Sequence, residues 1–133
     1  MHISDSCAYA SELRQSLRRH ADKPVTLTFV SDVHDWCEEN DVPCSTNPCA
    51  MALIARPSNQ AMILVRQCID DSRVEGVRGR LIAGGFDAGA RYLDSPERFL
   101  EHLVLHELAH LANDWPQADE DRCDEWAFRA MGL

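Results

Sequence analysis

The sequence His106-Glu107-Leu108-Ala109-His110 lies within an apolar segment, residues 99–111, that follows Ser95-Pro96. Serine is a favoured N-cap and proline is tolerated at the first helical position, so this segment is predicted to form a helix. On a helix, residues four apart are rotated by only about 40°, and the imidazoles of His106 and His110 therefore project side by side. Two imidazoles in this arrangement can chelate one metal ion.

Glu107 is predicted to lie beside such a metal rather than on it. It is rotated by about 60° from His110 on the same helix, where it could take a proton from a metal-bound water. Two histidines four apart, with glutamate after the first, have the spacing found in zinc peptidases. The residues around them are apolar, so these polar groups lie on the buried face and need partners there. These neighbours are Phe99, Leu100, Leu103, Val104 and Leu111.

A third metal ligand is predicted on the next helix. Catalytic zinc usually takes three protein ligands and a water. A last helix is expected from about Ala118 to Met131, after Asp114-Trp115-Pro116 ends the previous one near Asn113. Glu120 and Asp124 fall along its apolar stripe, where carboxylates are costly unless paired or metal-bound. We therefore expect Glu120 to bind the metal and Asp124 to accept the second ring N–H of a ligating histidine.

Other residues near the motif remain alternatives. Asp114 or Asp121 could replace Glu120 as the ligand, and Asp119 and Glu125 are also close in sequence. Acidic residues at a helix N-terminus also suit the helix dipole without any metal. His102, one turn before His106, is predicted to lie at the rim of the site, near the reacting groups, rather than to replace a ligand.

The C-terminal part of the chain resembles a known family. His106-Glu107-Leu108-Ala109-His110 followed by Glu120 and Asp124 is similar to the HExxH plus ExxxD signature of the gluzincin metallopeptidases, in particular the mini-gluzincins. The similarity covers about the last 40 residues. It implies zinc bound by the two histidines and Glu120, Glu107 as general base and acid, Asp124 supporting a ligand, and an edge strand that receives an extended peptide.

The chain departs from this family in its spacing. Nine residues separate His110 from Glu120, and 13 residues follow Glu120. Larger gluzincins have a longer spacer, and many add a downstream subdomain with a tyrosine or histidine near the oxyanion.

The rest of the chain is predicted to form one α+β, zincin-like domain, residues 1–133. A small, mostly antiparallel sheet is expected to pack on the central HExxH helix, with the glutamate helix after it. The predicted elements are a helix at 5–20, a strand at Val25–Val30, a helix capped by Ser31 and ending near Asn40, a hairpin of 49–56 and 60–67, a loop at 70–79, a short strand at 79–83 and a flexible segment at 84–89.

Composition limits the partners. The net charge of −9 argues against nucleic acid, which needs a basic surface. No apolar run is long enough to span a membrane, and residues 1–6 lack the basic and apolar regions typical of a signal peptide. We therefore expect a cytoplasmic protein with no membrane partner and with reduced thiols. Cys37, Cys44 and Cys49 could hold a second metal, but they contain no Cys-x-x-Cys pair that would favour this.

The sequence predicts zinc-dependent hydrolysis of a peptide bond, with Zn²⁺ as cofactor, Glu107 as general base and a peptide or protein as substrate. A narrow-specificity form would cleave a single repressor or antitoxin. One alternative is a regulatory or interaction module whose zinc site is catalytically idle. Another is a structural zinc domain, in which Cys123 or His102 closes the site as a fourth ligand.

Overall fold

Six α-helices and three strands make up the computed structural model, which describes residues 1–133. The chain therefore belongs to the α+β class, as predicted. In order, the elements are a 3₁₀ turn (Ser6–Tyr9), α1 (Ala10–His20), β1 (Val25–Val30), α2 (Val33–Glu39), β2 (Ala50–Ala55), β3 (Gln60–Arg66), α3 (Asp71–Ala83), α4 (Asp87–Tyr92), α5 (Pro96–Asn113) and α6 (Glu120–Ala130).

The sheet is mixed, with the strand order β1-β3-β2. β2 and β3 form the predicted antiparallel hairpin, whereas β1 pairs with β3 in parallel. The expectation of a mostly antiparallel sheet was therefore wrong for one of the two pairings. The connection from β1 passes through α2 and β2 before it reaches β3, and a parallel pair needs a long crossover of this kind. β2 is left as an edge strand.

Helices cover both faces of the sheet. Successive side chains of a strand point to opposite faces, so Ile63 and Val65 of β3 pack into the main core with α1 and α5. Leu64 points the other way, into a smaller cluster with Val33 and Cys37 of α2. Ile63, Leu64 and Val65 are completely buried, so both faces of the central strand are covered in its middle.

α5 begins and ends where the sequence predicts. The Ser95 side chain accepts a hydrogen bond from the backbone N–H of Arg98, and Pro96 is the first helical residue. Asp114 ends the helix with a left-handed backbone conformation (φ 52°). The chain then reverses within a few residues, and α6 packs against α5. This short turn brings the first residue of α6 next to the last turn of α5.

The region between β3 and α5 differs from its prediction. A loop is predicted at 70–79 and a strand at 79–83, but residues 71–83 form the helix α3. Asp70 caps this helix by accepting a hydrogen bond from the backbone N–H of Arg73. The segment 84–89, predicted to be flexible, contains the start of α4. α2 is capped by Asp32 rather than by Ser31, because the Asp32 carboxylate accepts the N–H of Asp35.

The cysteines are all free thiols. None of them belongs to a group of histidine, cysteine or acidic residues close enough to share a metal ion, so Cys37, Cys44 and Cys49 do not form the second site considered above. None of the helices combines the length and the apolar composition that crossing a bilayer requires.

Candidate metal centre

Two imidazoles and one carboxylate converge between α5 and α6. The rings of His106 and His110 lie one turn apart, with centroids 5.2 Å from each other. One carboxylate oxygen of Glu120 is 3.3 Å from Nε2 of His106, and the other is 3.3 Å from Nε2 of His110. The structure thus brings together the three residues that the sequence predicts as ligands.

The outer nitrogens of both rings are held by oxygen acceptors. Nδ1 of His106 donates to Oδ1 of Asp124 over 2.7 Å, the partner that the sequence predicts for it. Nδ1 of His110 donates to the main-chain oxygen of Trp115 over 3.0 Å. Such acceptors set the orientation of ligating imidazoles, so in both rings the Nε2 atom faces Glu120 and could bind a metal once its proton is lost.

The Nε2 atom of His110 is buried and forms no hydrogen bond of good geometry, although an oxygen of Glu120 lies 3.3 Å away. A cation between the two rings and Glu120 would give this nitrogen and both carboxylate oxygens a direct partner. Ligand atoms of His106, Glu107 and His110 lie within 4.8 Å of one another, which is close enough to share one ion. Imidazole nitrogens with a carboxylate are a donor set that suits a divalent transition metal, so the residues present fit a metal ion.

Glu107 lies beside this centre and is held by the sheet. Its Oε1 atom accepts the backbone N–H of Ala52 in β2 over 2.9 Å, and its Oε2 atom is 3.8 Å from Nε2 of His106. The residue is only 8% exposed. Burial raises the pKa of its carboxyl group, and the two neighbouring imidazoles oppose only part of this rise. Glu107 is therefore a buried acid–base group within reach of the centre.

Asp124 accepts hydrogen bonds from three side chains on the side of the His106 ring that faces away from Glu120. Its Oδ1 atom accepts from both His106 and His102, and its Oδ2 atom accepts from Arg80 over 2.8 Å. The residue is completely buried. Burial alone would raise the pKa of Asp124, but the three donors outweigh it and hold the pKa well below its usual range. Asp124 thus carries a full negative charge against His106.

His102 lies deeper than the rim position that the sequence predicts. It is 1% exposed, it donates from Nε2 to Asp124 over 3.1 Å, and its ring stacks on Phe128 with centroids 4.2 Å apart. Burial lowers the pKa of His102, so it is neutral where His106 is charged. His102, His106 and Asp124 also lie close enough to hold an ion. Their facing atoms already hydrogen-bond one another, so this second group needs no metal.

The charges at the centre stabilise one another when no metal is bound. Burial lowers the pKa of His106, but the carboxylates of Asp124 and Glu120 outweigh this effect and raise it to about 10. Glu120 also raises the pKa of His110. Burial acts to raise the pKa of Glu120, and the two imidazoles reverse this and lower it to about 2. Without metal, Glu120 is therefore the counter-ion of both histidines.

The alternative ligands lie elsewhere. Asp114 and Asp121 are exposed, and the other two acidic candidates make surface ion pairs, Asp119 with Arg122 and Glu125 with Arg129. The Sγ atom of Cys123 is 3.5 Å from Nδ1 of His110, on the side of the ring that faces away from Glu120. Cys123 is therefore not placed to close the site as a fourth ligand.

Three groups of the site were not predicted from the sequence. They are the guanidinium of Arg80, the backbone N–H of Ala52 and the main-chain oxygen of Trp115. Every residue type has a main-chain oxygen and nearly every one a main-chain N–H, so the residue types at 52 and 115 do not indicate that these two groups belong to the site. Arg80 lies on α3, which the sequence predicted as a loop and a strand, so its side chain could not be assigned to a helical face.

Comparison with known proteins gives no further assignment, because no family model, curated protein or solved structure shows significant similarity to the chain.

Proposed function

We propose that this protein is a zinc-dependent peptidase of the gluzincin type with a zincin-like fold. The observation that carries the proposal is the convergence of the Nε2 atoms of His106 and His110 on the Glu120 carboxylate, each 3.3 Å from one of its oxygens, while the outer nitrogen of each ring is held by an oxygen acceptor. Two imidazoles and one carboxylate are the protein ligands of many catalytic zinc sites. His106, His110 and Glu120 would hold the ion.

Glu107 is the proposed general base. When bound, zinc supplies a Lewis acid at neutral pH. Glu107 then accepts a proton from the attacking water and returns it to the leaving amine. Its burial raises its pKa toward the range that suits proton transfer near neutral pH, and the N–H of Ala52 keeps its carboxylate oriented.

The edge strand β2 is the proposed site for the peptide main chain. The N–H of Arg66 bonds to the carbonyl oxygen of Cys49, so in this antiparallel register alternate residues, including Ala50, Ala52 and Ile54, direct their main-chain groups away from β3. The N–H of Ala52 reaches Glu107. An extended peptide added to this edge would therefore lie alongside the proposed base.

The decisive experiment separates metal binding from hydrolysis. Glu107→Gln is expected to keep about one zinc per chain and to lose hydrolysis by roughly 10²- to 10⁴-fold, because an amide cannot accept the proton. His106→Ala with His110→Ala should abolish zinc binding. Metal content measured by mass spectrometry and cleavage of a mixed peptide library test both. Full zinc occupancy without any cleavage by the wild-type protein would contradict the peptidase proposal and favour an idle zinc module.

A further inference from the structure

One face of α3 forms a wall of the cleft that contains the candidate metal centre. Arg73, Gly76, Val77 and Arg80 are spaced by three or four residues and therefore share this face. The cleft has a volume of about 320 Å³, and its lining includes His106, Glu107 and Glu120 as well as this face. Any substrate that reaches Glu107 must therefore lie close to α3.

The two arginines of this wall differ in how their charges are balanced. Arg80 donates to Asp124 over 2.8 Å and lies 3.9 Å from Glu120, so its charge is already paired. Arg73 donates from Nη1 to the main-chain oxygen of Asn47 over 2.9 Å and forms no ion pair with any carboxylate. Of the two arginines on this wall, Arg73 is therefore the one whose charge is free to bind a ligand.

Arg73 is also oriented and accessible. The bond to Asn47 ties one end of the guanidinium to the loop before β2, which leaves its remaining N–H groups available. Beside it, Gly76 leaves open space, since a Cβ atom added there would meet no heavy atom within 4 Å. The cleft thus has room for a ligand group next to a fixed cation.

We propose that Arg73 binds a carboxylate of the peptide substrate, either an acidic side chain or the C-terminal carboxylate. A guanidinium matches the planar geometry of a carboxylate and can donate two parallel hydrogen bonds to it. The proposal rests on the proposed peptidase function, because it takes the ligand of the cleft to be a peptide. The surface as a whole is acidic and repels anions, so selection of an acidic group would depend on this one cation.

The test measures binding separately from hydrolysis. Zinc-loaded Glu107→Gln protein is titrated with alanine-rich hexapeptides. For each of their positions there is one matched pair of peptides, one with Glu and one with Gln at that position. A second pair differs only in a free or an amidated C-terminus. A charged partner of Arg73 should bind about tenfold more tightly than its neutral counterpart. The pair that shows the difference identifies the source of the carboxylate.

Three further variants assign the effect. Arg73→Ala, and Arg73→Gln as a variant that keeps a donor for Asn47, should each reduce the affinity ratio to about one. Arg91→Ala removes the same charge from an exposed arginine outside the cleft lining and should leave the ratio unchanged. A ratio near one in the Glu107→Gln protein, no binding of any peptide, or a ratio that survives the loss of Arg73 would overturn the inference. Cleavage of the same peptides by the wild-type protein tests the peptidase function independently.

Discussion

At the scale of single residues, Asp124 holds the centre together. It is completely buried, and its two oxygens accept hydrogen bonds from His106, His102 and Arg80. Because one carboxylate serves all three partners, its charge fixes the ring of His106 and also keeps Arg80 at the wall of the cleft. A change at Asp124 should therefore affect the metal without removing a ligand.

Asp124→Asn should weaken zinc binding by about 10- to 100-fold, the usual effect of losing a carboxylate that supports a ligating histidine. The amide keeps the shape of the side chain but loses the charge that pairs with His106. Competition with a chromophoric chelator measures the affinity. Asp121→Asn, at an exposed position of the same helix, is the control and should have no measurable effect. Equal effects of the two substitutions would show that Asp124 has no special role.

The residue scale also shows what could be predicted from sequence. The positions of His106, Glu107 and His110 follow from local helix geometry, and the cost of carboxylates on an apolar stripe pointed to Glu120 and Asp124. The depth of His102 could not be predicted, because it depends on Phe128 of α6, against which its ring stacks. Helix geometry predicts the side of a helix to which each side chain points. The burial of that side chain also depends on the element that packs against the helix.

At the scale of elements, close packing of α4 against α6 requires a glycine. A Cβ atom added to Gly89 would lie 2.7 Å from Cε2 of Phe128, which is too close. The ring of Phe128 cannot easily move aside, because it lies between Phe86 (5.8 Å) and His102 (4.2 Å). The glycine that the sequence indicated as flexible thus serves close packing.

Gly89→Ala is expected to lower the free energy of unfolding by about 1 to 3 kcal/mol, the usual cost of overpacking a core. Gly79→Ala is the matched control on α3. A Cβ atom there would meet nothing within 4 Å, so the substitution should raise stability by about 0.5 to 1 kcal/mol through helix propensity alone. Urea unfolding of both variants measures the effects. A neutral or stabilising Gly89→Ala would show that the packing around Phe128 yields easily.

α3 shows why some elements were missed. Gly76 and Gly79 and the many charged residues of 70–79 indicated a loop, yet Val74 and Leu81, seven residues apart, are completely buried and anchor a helix. Both glycines are exposed, where the absence of a side chain costs packing nothing. The sheet pairing was missed for a similar reason, because strand neighbours far apart in sequence leave no local pattern.

At the scale of the whole molecule, zinc would join two helices that otherwise meet through charges. His106 and His110 belong to α5 and Glu120 belongs to α6. Without metal, the ion pairs between them already stabilise the fold, and metal binding must replace the protons that those imidazoles carry. Stability without zinc should therefore decrease as the pH rises above 7, whereas stability at saturating zinc should change little.

The pKa shifts determine how the unfolding free energy of the metal-free protein changes with pH. The pKa of His106 is raised from 6.5 to about 10 in the metal-free protein, so its contribution to stability is complete below pH 6.5 and is lost as the pH rises toward 10. The pKa of Glu120 is lowered from 4.5 to about 2, so its contribution is present above pH 4.5 and is lost as the pH falls toward 2. Between pH 7 and 9, the raised pKa values of His106 and His110 act in the same direction, and metal-free stability should decrease.

Zinc offsets this trend because it binds the neutral imidazole, which is also the form present in the unfolded chain above pH 7. Each proton displaced raises the zinc affinity about tenfold per pH unit, so the increase in unfolding free energy caused by zinc should grow from pH 7 to 9. At free zinc of 100 times the dissociation constant, the increase is about 2.7 kcal/mol. Thermal unfolding at fixed free zinc, set by a metal buffer and compared with chelator-treated protein, measures both trends. Glu120→Gln should reduce the zinc effect, whereas parallel pH trends with and without zinc would contradict binding through His106.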